Sequence, residues 1–153
     1  MTPGIDSYVT LAEADDYISN FHPGSAWENL IGAKREQRLV LACERLEALP
    51  FSGRKTGRDQ TLSFPRFPNT TVPESIKAAQ VEIALLFVSQ SGLSAEAAQR
   101  ANLQRQGVTS FSIGDLSESY GGKSGLVEDH TFLANAEIHA LLNRFLQGGY
   151  PIC

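Results

Sequence analysis

Residues 72–91 read VPESIKAAQVEIALLFVSQS, and the fold class turns on this stretch. Pro73 suits a first helical turn, where its missing N–H has no intrahelical partner to lose. Ile76, Ala79, Val81, Ile83, Ala84, Leu85, Leu86, Phe87 and Val88 then cover most of a helical circumference, which predicts a helix buried on nearly every side. Such a helix needs other helices around it. The apolar run at 81–88 is broken by Glu82 and falls far short of the roughly 20 residues that span a bilayer, so it is not a membrane helix.

Upstream, the sequence supplies candidates for those neighbours. Thr10 followed three residues later by Glu13 is a capping-box signature. Leu11, Ala14, Ile18 and Phe21 then fall on one face of a helix of three turns, stopped by His22-Pro23-Gly24. Ser25 can cap a short turn carrying Trp27 and Leu30. Over 33–49, Leu39, Ala42, Cys43, Leu46 and Leu49 form a stripe with charged residues largely elsewhere, so a second amphipathic helix is expected, ended by Pro50.

Residues 51–71 carry prolines, glycines and the basic cluster Arg54-Lys55-Thr56-Gly57-Arg58, with no periodicity of useful length. Long loops of this kind inside a small domain tend to be functional or disordered. Phe51, Leu62, Phe64 and Phe67 can pin it down, so an ordered loop is expected.

Downstream, 94–106 reads as a further short helix anchored by Ala95, Ala98 and Leu103. From Val108 the period changes to two, and Gly114-Asp115 offers a two-residue turn, predicting a β-hairpin over 108–120. Ile113 would face Leu116, Phe111 Glu118 and Thr109 Tyr120, leaving serines on the other side. Because a lone hairpin is marginal in water, its apolar face or its edges should pack on helices or on a neighbouring subunit. Gly121, Gly122 and Gly125 read as a hinge before a last amphipathic helix marked by Ala134, Ile138, Leu141, Leu142 and Phe145 and ended at Gly148-Gly149. The expectation is therefore a single domain over 1–153, mainly α, with about four main helices, one β-hairpin and a long ordered loop.

A chain of 153 residues has material for one core. Its formal charge of −4 argues against a dedicated DNA binder, which draws much of its affinity from Lys and Arg. The residues 1–6 show neither the basic nor the apolar stretch of a secretory signal, so the chain is expected to stay in the cytosol where it is made. Cys43 on the apolar stripe reads as core and Cys153 as an exposed thiol, without metal-ligand spacing or disulfide density.

Few residues carry chemistry. Gly122-Lys123-Ser124 lacks the glycine five residues earlier that a phosphate-binding loop requires, since Ser117 stands there. His22, His130 and His139 have no close helical spacing, so no metal site is expected. Glu13, Asp15 and Asp16 lie in the first turns of a helix, where its dipole favours acid. We thus expect no catalytic residues, no cofactor and no enzymatic activity. Arg54, Lys55, Arg58 and Arg66, with aromatics between them, are the best functional candidates, because basic and aromatic residues together hold nucleic acid. The rival reading, a subunit contact, is preferred for these four and for Phe111, Ile113, Leu116 and Tyr120 of the hairpin.

Tyr8-Val9-Thr10-Leu11-Ala12-Glu13-Ala14-Asp15, Phe51-Ser52-Gly53-Arg54-Lys55, Leu62-Ser63-Phe64-Pro65-Arg66, Val72-Pro73 and Ser110-Phe111-Ser112-Ile113-Gly114-Asp115-Leu116 together resemble one phage family. It is the family labelled DnaT-like single-stranded DNA-binding protein, and it is similar in organisation to head–tail connector proteins of long-tailed phages. Of the two functions that this resemblance implies, the connector suits the negative charge better, since duplex DNA must slide through a lumen without being gripped. The expectation is a non-enzymatic adaptor in the neck of the virion. It would form a homo-oligomeric ring, usually of twelve copies, binding the portal protein and a downstream neck or tail completion protein, with double-stranded DNA passing through and no membrane involved. The loop 51–71, the hairpin and the segment 146–153 would carry its contacts. The alternative is a single-stranded DNA-binding replication protein.

Overall fold

The computed structural model describes residues 1–105 and 132–147. Four α-helices make up the described part: α1 (Leu11–Phe21), α2 (Gly32–Glu47), α3 (Glu74–Arg105) and α4 (Ala136–Leu142). Short 3-10 turns at Ala26–Asn29 and Asn143–Phe145 follow α1 and α4. Among the described residues no sheet is present, and extended pairing is confined to isolated bridges such as Phe51 with Leu146 and Lys55 with Arg66. The expected hairpin, with Phe111, Ile113, Leu116 and Tyr120, lies outside the described residues, as do the glycine hinge and residues 148–153.

α3 occupies the centre, as the apolar circumference of 76–88 demands. Ile76, Ala79, Val81, Ile83, Ala84 and Val88 are buried on it, and α2 and α4 pack against it most extensively. The helix is longer than its sequence pattern suggested. It continues without a break through 94–105, where a separate short helix was expected, and reaches about 48 Å at 1.5 Å per residue. Ser91 and Gly92 do not interrupt it, since a glycine inside a helix costs only about 1 kcal/mol. Among the described residues no helix is long and apolar enough to cross a membrane.

The cap of α1 forms as read: the Glu13 amide donates to Thr10 Oγ1 at 3.2 Å and the Thr10 amide to Glu13 Oε2 at 2.7 Å. Ala14 and Ile18 are buried, whereas Phe21, expected on the same face, is exposed and stacks on Tyr17, with ring centroids 4.8 Å apart. The acidic first turn does more than answer the helix dipole. Asp15 accepts from the indole of buried Trp27 at 2.7 Å and pairs with Arg35 at 3.2 Å, tying α1 to the 3-10 turn and to α2. On α2, Leu39, Ala42, Cys43 and Leu46 are buried as the stripe predicts. The Asn135 side chain caps α4, accepting from the amides of Glu137 and Ile138.

Two buried polar groups stitch the N-terminal segment to this frame. Gln80, fully buried on α3, accepts from the Tyr8 amide at 2.8 Å and donates to Ser7 Oγ at 2.9 Å and to the Leu39 carbonyl at 2.8 Å. The Tyr8 hydroxyl donates to Glu47 at the end of α2. Burial first, and then Glu47, drive the Tyr8 pKa far above its ordinary value. Burial, followed by the carboxylates of Glu47, Asp6 and Glu44, pushes the Cys43 thiol up to about 12.

Raised pKa values mean that the folded chain holds these protons more tightly than the unfolded chain. The stability they confer is complete below the ordinary values, 9.0 for the thiol and 10.0 for the phenol, and drains away as the pH climbs above them. Urea denaturation is expected to show stability falling above pH 9.0, and Cys43→Ala should delay the onset by about one pH unit. An unchanged onset in that variant would refute the assignment.

Candidate functional site

The loop 51–71 is ordered, and a small set of polar groups explains why. Its apolar anchors Phe51, Leu62 and Phe64 are buried, and the Phe64 ring packs edge-on against Tyr8, Phe51 and Phe145. Glu47 Oε2 accepts from both the amide and the hydroxyl of Ser63 at 2.9 Å, while the Phe64 amide donates to the Tyr8 hydroxyl at 3.2 Å. Within the loop the chain runs out and back on itself. The Thr56 amide meets the Pro65 carbonyl at 3.1 Å, and the Phe67 amide meets that of Arg54 at 3.0 Å. Gly53 takes a φ of +82°, a left-handed turn that side-chain-bearing residues rarely adopt. The base of the loop is fixed to the far end of the chain, where the Ser52 amide donates to the Phe145 carbonyl at 2.7 Å and the Gln147 amide to that of Pro50 at 2.9 Å.

The four expected cations take two different parts. Arg66 is half-buried, and its guanidinium donates to the backbone carbonyls of Phe51, Ser52, Gly53 and Ser63. Lys55 Nζ donates to the carbonyls of Gln60 at 3.3 Å and Thr61 at 3.1 Å. These two hold the loop in shape. Arg54 and Arg58 are exposed. Arg54 lies over the Phe67 ring, its guanidinium carbon 4.9 Å from the centroid. Phe67, expected to help pin the loop, is instead 61% exposed.

Asn69 and Thr71 at the end of the loop share a groove of about 540 Å³ with Pro73, Glu74, Arg144 and Phe145. Arg144 gave no signal in the sequence as a member of this site, because it sits far along the chain beyond α4. Its guanidinium lies 4.6 Å from the Phe145 centroid and donates to Ser75 Oγ at 2.8 Å. Between 51 and 71 the cations Arg54, Lys55, Arg58 and Arg66 face a single carboxylate residue, Asp59, so the loop is locally positive on a chain whose total charge is −4. A planar aromatic face under a guanidinium, flanked by further cations, offers stacking and phosphate neutralisation together.

A family model described as "Putative DnaT-like ssDNA binding protein" matches residues 1–152. No curated protein and no solved structure matches the chain. The match overturns the expectation of a virion neck connector and favours the single-stranded DNA alternative. The physical error lay in using net charge as the arbiter. A total of −4 says nothing about where the positive charge is gathered, and single strands are held by a local patch.

Proposed function

The chain belongs to this DnaT-like family, and from that premise we propose that it binds single-stranded DNA on the loop 51–71, without catalysing a reaction. The observation that supports this reading best is Phe67, exposed and held beneath Arg54. With Arg54 over one face of the ring, the rest of the exposed phenyl is open for a base to stack on, and the order of the surrounding loop keeps the entropic cost of binding low. Exposed Arg58, and Arg54 at the ring, would meet the phosphates of the bound strand, while Arg66 and Lys55 maintain the shape of the loop.

The test is fluorescence anisotropy with a labelled oligothymidylate, using the full chain over a range of salt. Affinity is expected to fall with salt, with log K changing by about −0.7 per log unit for each neutralised phosphate. Phe67→Ala should weaken binding about 5- to 150-fold, the loss of about 1–3 kcal/mol that one base–aromatic stack provides. Arg58→Ala should flatten the salt slope by roughly one contact. No binding at low salt, or a Phe67→Ala chain that binds like the parent, would remove the loop from consideration.

A further inference from the structure

On the opposite side of α1, three residues from distant parts of the sequence converge. His22 caps the C-terminus of α1, Glu82 lies on α3 and Glu137 is in the first turn of α4. One ligand atom from each falls within 4.8 Å of the others. His22 Nε2 is 2.7 Å from Glu82 Oε1, and the Tyr17 hydroxyl donates to the same oxygen at 2.9 Å. The three line a cavity of about 340 Å³ together with Ser25, Leu85, Leu86, Ser89 and Asn135.

The charges here are out of balance. Glu82 is 8% exposed, and among the described residues its ion-pair partner is the imidazole of His22, with no lysine or arginine beside it. A buried carboxylate is costly to keep unless a cation answers it, and Glu137 brings a second negative charge to the same spot. Ser25 Oγ, buried on the wall of this cavity, has no hydrogen-bond partner. An orphaned buried oxygen, in the same cavity as a buried carboxylate answered only by an imidazole and a phenol, leaves a place for an additional polar occupant.

We propose that His22, Glu82 and Glu137 bind a divalent transition cation of the zinc type, with the fourth position open to the cavity. One imidazole and two carboxylates suit such an ion better than magnesium or calcium, which favour all-oxygen shells. Tetrahedral ligands with bonds of about 2.0 Å lie about 3.3 Å apart, so around an ion the 2.7 Å contact of His22 with Glu82 would open a little while the Glu137 carboxylate moves in. The exposed Glu137 side chain is free to make that movement. Binding would displace the proton or hydrogen bond now shared between His22 and Glu82, leaving Nε2 and the carboxylate oxygens as lone-pair donors. The ion would cross-link the end of α1, the N-terminal third of α3 and the start of α4.

The experiment is calorimetric titration of zinc chloride into chelator-stripped full-length chain bearing Cys153→Ser, which removes the thiol at position 153. One saturable site is expected, together with a rise in Tm on zinc addition. His22→Gln and Glu137→Gln should each weaken binding by at least about tenfold and abolish the rise in Tm. Glu137 is exposed, so its substitution leaves the fold intact. Absence of zinc binding by the parent, or unchanged binding in both variants, would overturn the proposal. Neither result bears on the DNA reading, since the site shares no residue with the loop.

Discussion

Gln80→Leu is expected to remove about 3–5 kcal/mol of stability, read as a lower urea midpoint at unchanged m. The leucine fills much the same volume, so no large cavity forms. What is lost is the acceptor of the Tyr8 N–H, together with one bond to the Ser7 hydroxyl, which keeps its bonds with Val9, and one to the Leu39 carbonyl, all in a region from which water is excluded. An orphaned buried N–H costs about 1–3 kcal/mol and each further lost bond about 0.5–1.5 kcal/mol, and a domain of this size has only about 5–15 kcal/mol to lose. The segment 7–9 would come away from α2 and α3. A cost below about 1 kcal/mol would mean that the glutamine is an incidental passenger of an apolar helix.

Glu47→Ala is expected to weaken DNA binding and to lower stability by about 2–4 kcal/mol, through the lost charge-assisted bonds to Tyr8 and Ser63. The sign of the first effect is the informative part. Glu47 is a carboxylate, and removing a negative charge near a site for a polyanion should, by electrostatics alone, tighten binding. Loosened binding would mean that the residue acts through the loop, by fixing Ser63 and, through the Tyr8 hydroxyl, the amide of Phe64. Glu47→Gln, which keeps the shape and one acceptor, should fall between the two. Tighter binding in Glu47→Ala would separate loop order from DNA affinity and count against the Phe67 site.

The helices were legible because each carries a local signature. Thr10 with Glu13 marks one start, the Leu39 to Leu46 stripe marks a buried face, and the apolar circumference of 76–88 marks the centre. Phe21 and Phe67 were placed inside because hydrophobicity alone does not say whether a ring has a partner. Phe21 found Tyr17 at the surface and Phe67 found Arg54. The loop cations could be named only as a group, because the sequence could not separate Arg66, engaged with backbone carbonyls, from the exposed Arg58. Gln80 and Glu82 looked like polar interruptions of an apolar helix, yet they are the groups around which distant segments gather. His22 and Glu82 are 60 positions apart, with Glu137 further still, so no spacing rule could join them.

The hydrogen bond between Ser52 and Phe145 spans 93 positions. On a ribosome, the proposed DNA-binding loop therefore leaves the exit tunnel long before the residues that close its base. At about 5–20 residues per second the interval is roughly 5–20 s. During that time the nascent chain displays Arg54, Arg58 and Phe67 on an unfastened segment, and the loop gains its final footing only once Phe145 and Gln147 have emerged.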